Sequence, residues 1–308
     1  MRERLKKCIR GLVIRAAGIQ HVQEEIDTLF YFLNSYHDIT TFPKADGDLR
    51  KIQICDAILM EIIDEICKKN NLRYWISCGN LIGALRHKGS IPWDDDTDIY
   101  MCRNDYERAK EVFDSELLKY GFTVEEPKIM GWIGIGYKTA DTGVWLDIFP
   151  VDFFSIPSPE ENNIIVLYSK LKKYHKKYLR IKNRVERDKI QIVKRKIVPF
   201  LVDEKEATHC CRAVEFEEDC VIQSVSTLFP LRPIQYEHTT LMGPSQPERY
   251  INDWLKGDYR EFPRGGILHH GGKKGAIYEW ASRSGTNLDQ VKEYLTKVLI
   301  EIRSNALN

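Results

Sequence analysis

The sequence contains no long hydrophobic run, and its apolar stretches fall well short of the roughly 20 residues that cross a bilayer. It also has almost no net charge, because 46 Lys and Arg face 45 Asp and Glu, so no overall positive charge attracts nucleic acid. Its eight cysteines include no C-x-x-C pair, which excludes a standard secreted disulfide framework and favours a reducing compartment. These absences predict a cytoplasmic protein that binds no nucleic acid.

What the sequence does contain divides into three parts. Residues 1–44 predict an amphipathic helical arm that ends at the turn-rich stretch TTFPKADGD. Residues 45–155 predict an α/β core, which begins with a helix that has a long apolar stripe and an N-cap at Asp46 or Asp48. Five short β-like runs follow, namely RYWISC, a run over 96–102, FTVEE, WIGIGYKT and VWLDIFPVDFF.

The remaining residues, 156–308, predict a C-terminal region of helices and loops. Helical patterns cover 160–197 and 203–226, whereas residues 229–284 are rich in proline and glycine. The segment NLDQVKEYLTKVLIEIRS predicts a closing helix. The chain therefore reads as an α/β core followed by a mostly helical remainder.

Four aspartates fall within the five residues 94–98 and lead directly into the apolar segment 99–101. Side chains two apart share one face of a strand, so a strand over this region points Asp94, Asp96 and Asp98 the same way. Carboxylates held so close repel one another unless a cation lies between them. Oxygen ligands suit Mg²⁺ or Mn²⁺, so we predict Asp96 and Asp98 as metal ligands and Asp94 as a further one.

A lone carboxylate, Asp147, stands among apolar neighbours in VWLDIF. Because its burial without a partner is costly, we predict that its strand lies beside 96–102 and that it completes the metal cluster. A solvated acidic turn would explain Asp94 and Asp95 but not the rest. An EF-hand loop lacks its glycine, since Ile99 stands at that position, whereas a glycosyltransferase DxD motif stays open on the aspartates alone.

The segment SCGN places a glycine turn between a strand and a helix, ahead of the aspartates. Free backbone N–H groups at such a turn can cradle a phosphate, so Gly79 is a predicted phosphate contact. Arg86 follows the short helix and is predicted to grip a diphosphate through its forked guanidinium, whereas His87 and Lys88 fit a solvated turn equally well. This order of glycine turn, short helix, acidic strand and later lone carboxylate is typical of nucleotidyltransferases.

The stretch YWISCGNLIGALRHKGSIPWDDDTDIYM resembles the signature of the LicD family, which reads roughly G-[ST]-L-L-G-x-x-R-h-x-G-x-I-P-W-D-D-D-x-D. WLDIFPVDFF resembles the family's second block, and FPLRPIQYEHTTLMGPSQPERYINDWLKGDYREFP resembles its third. The likeness covers about residues 45–155 and 228–264. One departure is Asn80, which stands where Ser or Thr is usual, although its amide can still donate a hydrogen bond to a phosphate.

The resemblance implies an α+β fold with a nucleotidyltransferase-type mixed β-sheet flanked by helices. It also implies Mg-dependent transfer of a phospho-alcohol, above all phosphocholine, from a CDP-activated donor to a hydroxyl of a cell-surface glycan or glycolipid, with release of CMP. Asp96, Asp98 and Asp147 are then the catalytic residues, and Gly79 and Asn80 contact the donor. The related fukutin-type proteins transfer ribitol phosphate.

Other residues are weaker candidates for the substrate site. Lys138 is expected on a strand close to the metal cluster, and Glu237 lies in the third block, where an exposed loop carboxylate is the alternative; Asp258 is similar. The basic segment 170–196 fits a solvated helix paired with the acidic segment 203–219, but it also fits an anionic surface. A peripheral contact with the inner face of the membrane therefore stays open.

Two further functions stay open on the residues alone. A nucleotidyltransferase on the same fold would attack the α-phosphorus of a nucleotide and release pyrophosphate. A non-catalytic module would use the basic segment 170–196 to bind an anionic glycan or a membrane. A zinc site at Cys210, Cys211 and Cys220 follows no standard ligand spacing.

Overall fold

A mixed β-sheet flanked by helices forms the body of the protein in a computed structural model. The structure describes residues 18–125, 133–137, 143–155, 202–212, 221–263 and 285–306, together with isolated positions between 173 and 192. The α+β class expected from the sequence is confirmed.

The elements of the described residues are numbered here in chain order. The helices are α1 Ile19–Tyr36, α2 Gly47–Lys69, α3 Cys78–His87, α4 Arg103–Leu117, α5 Val225–Leu228, α6 Pro247–Leu255 and α7 Leu288–Ala306. The strands are β1 Tyr74–Ile76, β2 Asp98–Cys102, β3 Phe122–Glu125, β4 Ile133–Tyr137, β5 Trp145–Phe154, β6 His209–Arg212, β7 Gln223–Ser224, β8 Arg232–Tyr236 and β9 Thr239–Gly243.

Strand β5 is the centre of the sheet. One edge of β5 pairs in parallel with β2, while on the other edge its first half is antiparallel to β4 and its second half to β6. Strands β1, β3 and β7 extend the sheet from β2, β4 and β6, and each of these pairs is antiparallel. The sheet therefore includes β6 and β7, which lie beyond the segment 45–155, while β8 and β9 form a separate hairpin.

Helix α2 has the apolar stripe that the sequence predicts, and Asp46 is its N-cap residue. Ile52, Leu59 and Ile62 are fully buried, and each such side chain contributes about 1.5–3 kcal/mol through removal from water. The closing helix α7, also expected from the sequence, packs along α2 and buries Leu295. Helix α2 also contacts β5, so both the closing helix and the sheet hold α2 in place.

Some sequence-based expectations are wrong at the level of elements. Strand β2 begins at Asp98, so residues 94–97 form a loop ahead of the strand. Residues 203–226 contain β6, β7 and the short α5 rather than a long helix, because the buried side chains of Cys210 and Cys211 belong to a strand that pairs with β5. The loop-rich stretch 229–284 includes the β8–β9 hairpin and α6, and most of the predicted helix over 160–197 lies outside the described residues.

Helix α1 lies within the expected helical arm 1–44. Much of its apolar side remains exposed, as at Val22, Leu29 and Tyr36. Its last turn reaches the loop after α6, where Asn34 Oδ1 accepts a hydrogen bond from the backbone N–H of Phe262 at 2.7 Å. Among the helices that the structure describes, none has the length and apolar character needed to cross a bilayer.

Candidate active site

A cavity of about 750 Å³ lies between the acidic loop, defined here as residues 94–98, and the segment 254–263. Gly79 and Arg86 of α3 line one side together with three aspartates of the acidic loop. The opposite side consists of the end of α6 and the residues that follow it. The structure thus gathers a predicted phosphate contact, a predicted diphosphate contact and three predicted metal ligands around one cavity.

Asp98 and Asp147 lie side by side in the sheet. They are register partners in the parallel pairing of β2 with β5, so their side chains project from the same face. The backbone N–H of Asp147 donates to the carbonyl oxygen of Thr97 at 2.9 Å, which extends the pairing into the acidic loop. Two residues about fifty positions apart in the chain are therefore brought together.

Asp94 and Asp96 reach the cavity by a different route from the one that strand alternation suggests. Both precede β2, so the expected common face of a strand does not apply to them. They line the cavity from the acidic loop, where the backbone N–H of Asp94 closes a turn onto the carbonyl oxygen of Ile91 at 3.0 Å. The loop and the strand together direct these aspartates toward the same space.

The electrostatics of this group fit a cation. Burial raises the pKa of Asp98 well above its ordinary range, and the negative charges of Asp96, Asp147 and Asp94 raise it further. In the described part of the chain no three acidic, His or Cys side chains form a complete ligand group. Since Mg²⁺ often takes only one or two carboxylates and completes its shell with water and substrate phosphates, this all-oxygen set fits a cation that the substrate helps to bind.

Gly79 is required by a close approach. A Cβ atom at this position would overlap the Asp94 carboxylate, because the first turn of α3 packs directly against that side chain. The amide groups of a first helical turn have no partners within the helix and carry the positive end of its dipole. Gly79 therefore lets an acidic side chain lie beside the helix terminus that borders the cavity.

The side-chain amide of Asn80, expected to contact a phosphate, is bonded within the protein interior. Its side chain is 3% exposed, and its Oδ1 accepts from the backbone N–H of Asp98 at 2.5 Å. That bond fixes the orientation of the amide, so Nδ2 donates to the hydroxyl of Tyr236 at 3.0 Å. Asn80 is not among the described residues that line the cavity, and its observed role is to hold the start of β2.

Gln53 of α2 holds the other end of the acidic loop. Its buried amide Nε2 donates to the carbonyl oxygens of Ile91 and Asp94 at 3.0 and 2.9 Å. Its Oε1 accepts from Arg50 at 3.3 Å, so the whole amide group is engaged. A single glutamine side chain therefore bonds the first and the last carbonyl group of the turn 91–94.

Trp145 orients Asp147. Its indole Nε1 donates to Asp147 Oδ1 at 2.8 Å, while its ring lies over Gly134 and Gly136 of β4, where any side chain would collide with it. The backbone of Trp145 also contacts the site, because its N–H donates to the buried carboxylate of Asp56 at 3.3 Å. Burial raises the pKa of Asp56 well above its usual range, and the nearby aspartates of the acidic loop add to this effect.

Arg86 lies in the cavity wall, where its side chain is 7% exposed. It donates to the carbonyl oxygen of Tyr259 at 2.9 Å and to His87 Nε2 at 3.0 Å, and it stacks on the ring of Trp93. Burial lowers the pKa of Arg86 to about 10, and the charge of Asp94 partly offsets that effect. The guanidinium keeps its positive charge at neutral pH and links the two sides of the cavity.

The other two predicted substrate contacts, Glu237 and Lys138, are not among the described residues that line the cavity. Glu237 is neither an exposed loop carboxylate nor one of the described residues that line the cavity, because Arg50 and Lys44 pair with its buried side chain. Burial alone would raise the pKa of Glu237, but these hydrogen bonds and the charge of Arg50 outweigh it and lower the pKa to about 2. Lys138 lies outside the described residues.

The wall opposite the aspartates combines aromatic rings with the charged residues Lys256, Asp258 and Glu261. Trp254, Tyr259 and Phe262 line it, and Trp93 contributes a further ring from the aspartate side. Asp258, the weaker candidate of the third block, also lines the cavity and forms a forked ion pair with Arg260, which lowers its pKa. The cavity therefore joins an acidic, cation-attracting end to an aromatic one.

Sequence reasoning missed several residues that shape this site. Gln53 is a polar residue at a buried helical position, which is a signal of its own, since such amides need partners. Trp145 stands two positions before Asp147, so alternation along the strand places both side chains on one face. Tyr236 and Arg50 give no comparable signal, because their partners lie far away in the chain.

Comparisons with known proteins point in one direction. Residues 71–185 match the family described as LicD/FKTN/FKRP, nucleotidyltransferase domain. The lipopolysaccharide cholinephosphotransferase LicD of Haemophilus influenzae is 30% identical over 145 residues, which are 43% of this chain and 52% of that protein. Protein RT0683 of Rickettsia typhi is 30% identical over 141 residues, or 41% of this chain and 45% of its own length.

A more distant relative belongs to a mammal. Ribitol 5-phosphate transferase FKRP of Homo sapiens is 26% identical over 175 residues, which are 53% of this chain and 32% of that protein. The chain thus spans about half or less of the length of the relatives it matches.

Proposed function

We propose that this chain, whose residues 71–185 match the LicD/FKTN/FKRP nucleotidyltransferase domain, transfers a phospho-alcohol from a CDP-activated donor to a hydroxyl of a glycan or glycolipid. The observation that carries the proposal is the single cavity in which the first turn of α3, Arg86 and three aspartates meet. Its acidic end suits a cation with a diphosphate, and its size suits a nucleotide-linked donor, because ligand pockets typically span about 300–1,000 Å³.

The cofactor in this proposal is Mg²⁺ or Mn²⁺. Its candidate ligands are Asp94, Asp96, Asp98 and Asp147, of which one or two would hold the cation together with water and phosphate oxygens. When bound there, the cation neutralises charge on the diphosphate and on the leaving CMP. Support comes from the all-oxygen donor set and from the register of Asp98 with Asp147, which places two like charges on one face of the sheet.

The chain's own residues position the donor. Arg86 presents a buried, charged guanidinium, and the first turn of α3 at Gly79 presents backbone N–H groups, so both favour the diphosphate. The oxygen of the acceptor hydroxyl forms a new bond to the phosphorus that carries the alcohol, and the proton of that hydroxyl is released to solvent. The bond from that phosphorus to the bridging oxygen breaks, and CMP leaves with this oxygen.

Phosphocholine is the phospho-alcohol that we favour. The relative from Haemophilus influenzae is named as a cholinephosphotransferase, and the aromatic side of the cavity offers Trp254, Tyr259 and Phe262. Aromatic faces attract quaternary ammonium groups, which ribitol and glycerol lack. Competition among the CDP-linked forms of choline, ribitol and glycerol therefore tests the choice of alcohol.

A combined binding and product assay tests the reaction. Thermal shifts with CDP-choline, CDP-ribitol, CDP-glycerol and CMP, each with and without Mg²⁺, are expected to be largest for CDP-choline with Mg²⁺. Turnover with a glycan acceptor is expected to release CMP, and the Asp96→Asn variant is expected to lose it, whereas the matched variant Asp114→Asn on the exposed side of α4 keeps it. Release of pyrophosphate instead of CMP would overturn the proposal in favour of a nucleotidyltransferase. Glycan binding that is equal in the wild type and Asp96→Asn, with no turnover in either, would overturn it in favour of a binding module.

A further inference from the structure

The turn between β8 and β9 contacts the segment that leads into the acidic loop. The Glu237 carboxylate accepts from the backbone N–H of Ser90 at 3.1 Å, and the Glu237 backbone N–H donates to the carbonyl oxygen of Lys88 at 2.7 Å. Gly89 lies against the Glu237 side chain so closely that a Cβ atom would overlap it. Three consecutive residues are therefore fixed by one glutamate from a segment about 150 positions downstream.

Tyr236 makes a second connection from the same hairpin. Its side chain is fully buried, and its hydroxyl bonds both Asn80 Nδ2 at 3.0 Å and Ser90 Oγ at 2.9 Å. Asn80 in turn accepts from the backbone N–H of Asp98. Only the amide of Asn80 thus separates the Tyr236 hydroxyl from the backbone of the aspartate at the start of β2.

The hairpin is itself anchored to α2. Arg50 forks onto both oxygens of Glu237 at 2.8 and 2.6 Å, and Lys44 adds a third contact at 2.6 Å. Arg50 also donates to Gln53, whose amide holds the turn that presents Asp94. Both ends of the acidic loop are therefore held by one network that joins α2 to the β8–β9 hairpin.

From these contacts we infer that Tyr236 and Glu237 are positioning residues, which set the acidic loop without touching the substrate. Neither belongs to the described residues that line the cavity, and both oxygens of Glu237 are already engaged. The inference rests on the proposed function only in assuming that the aspartates hold a cation. The contacts that fix the acidic loop do not depend on that function. Groups that orient metal ligands typically change cation affinity or activity by about 10- to 100-fold when removed.

The test compares two buried tyrosines in otherwise intact protein. Tyr236→Phe removes only the hydroxyl that holds Asn80 and Ser90. Tyr120→Phe is the matched control, because this buried tyrosine also loses a hydroxyl hydrogen bond, to Glu301 Oε1 of α7 at 2.8 Å, outside the hairpin and the acidic loop. The readouts are hydrogen exchange of a peptide over residues 88–101, Mn²⁺ affinity by electron paramagnetic resonance, and kcat with KM for CMP release.

Tyr236→Phe is expected to speed exchange in this peptide by about tenfold and to weaken Mn²⁺ binding and lower kcat by about 10- to 100-fold, with a smaller change in KM. Tyr120→Phe is expected to leave these quantities as in the wild type, even where both variants lose similar thermal stability. Glu237→Gln, which keeps the side chain's size, is expected to behave as Tyr236→Phe does.

Wild-type exchange and Mn²⁺ affinity in both Tyr236→Phe and Glu237→Gln would overturn the positioning role. A wild-type protein that binds no Mn²⁺ and releases no CMP would instead refute the proposed function. The exchange comparison decides the positioning role in that case too, because it needs neither cation nor substrate.

Discussion

At the scale of single residues, the sharpest conflict in the site is between Asp98 and Asp147, two like charges in register on one face of the sheet. We expect Asp98→Asn to lower CMP release by about 100-fold or more, because a charge that supports the reaction is lost. The same change is expected to raise the melting temperature of the cation-free protein by about 2–4 °C, because it removes repulsion and the burial of a charge. Activity assays and differential scanning fluorimetry measure the two effects.

Asp114→Asn is the control for this pair of effects, since it removes one negative charge at an exposed position of α4 that is not among the described residues lining the cavity. Full activity in folded Asp98→Asn protein would contradict the metal-ligand role. A loss of both activity and stability would indicate that Asp98 is mainly structural.

Gly79 makes a second prediction at this scale. Gly79→Ala places a methyl group into the Asp94 carboxylate and so moves the side chain or the first turn of α3. A misplacement of about 1 Å in an active site can cost about 100-fold in rate, and a loss of that order is expected. Gly257→Ala is the control, because it adds the same methyl group to the cavity wall in open space. Equal rates in the two variants would show that the close approach of Asp94 has no catalytic importance.

At the scale of elements, the strand pair β4–β5 presents Asp147. Trp145→Phe keeps an aromatic ring over the two glycines of β4 but removes the N–H that holds Asp147 Oδ1. We expect Mn²⁺ affinity to fall by about 10- to 100-fold, as is typical when a partner of a metal ligand is lost. Titration with Mn²⁺ measures this.

Trp75→Phe provides the comparison, because it also removes an indole N–H, one that donates to Tyr250 in the core at 3.2 Å. It is expected to reduce stability and to keep the affinity for Mn²⁺. Similar affinities for the two variants would mean that the bond from Trp145 does not orient Asp147.

The sequence predicts the elements that have a strong repeating pattern and fails where contacts decide. Helices α2 and α7 follow from their apolar stripes, and β5 follows from a long apolar run. Strand β6 has only four residues with two buried cysteines, so its pairing with β5 leaves little trace in the sequence. Secondary structure of this kind is set by tertiary contacts rather than by local preference.

The same distinction applies to the site. Residue types and spacing point to Asp96 and Asp98, which line the cavity, and to Asp147, which lies in register with Asp98, because closely spaced carboxylates need a shared explanation. They could not reveal that Asn80 is bound to Tyr236 or that Glu237 is held by Arg50, since these partners lie about 150 or more positions apart. The aspartates of the acidic loop also alternate like strand residues, and this alternation produced the wrong start for β2.

At the scale of the whole molecule, acid stability depends on a histidine beside the cavity. Burial, together with the positive charge of Arg86, lowers the pKa of His87 to about 4, whereas an ordinary histidine titrates near 6.5. Between these values the unfolded chain binds the proton and the folded protein does not. The contribution of His87 is therefore complete above pH 6.5 and is lost as the pH falls toward about 4.

Urea unfolding between about pH 7.5 and pH 4.5 tests this, and the stability of His87→Gln is expected to depend less steeply on pH than that of the wild type. His37→Gln, at an exposed histidine after α1, is the control and should follow the wild type. Parallel curves for His87→Gln and the wild type would show that another group dominates the acid response.

The packing of Trp145 against Gly134 and Gly136 also constrains how this chain can change over evolutionary time. A side chain gained at either glycine meets the indole ring, so that mutation is harmful while the tryptophan is present. Loss of the tryptophan first would open the space but also release Asp147. No order of single mutations avoids a weakened intermediate, and the three positions should therefore be replaced together or not at all among descendants that keep the activity.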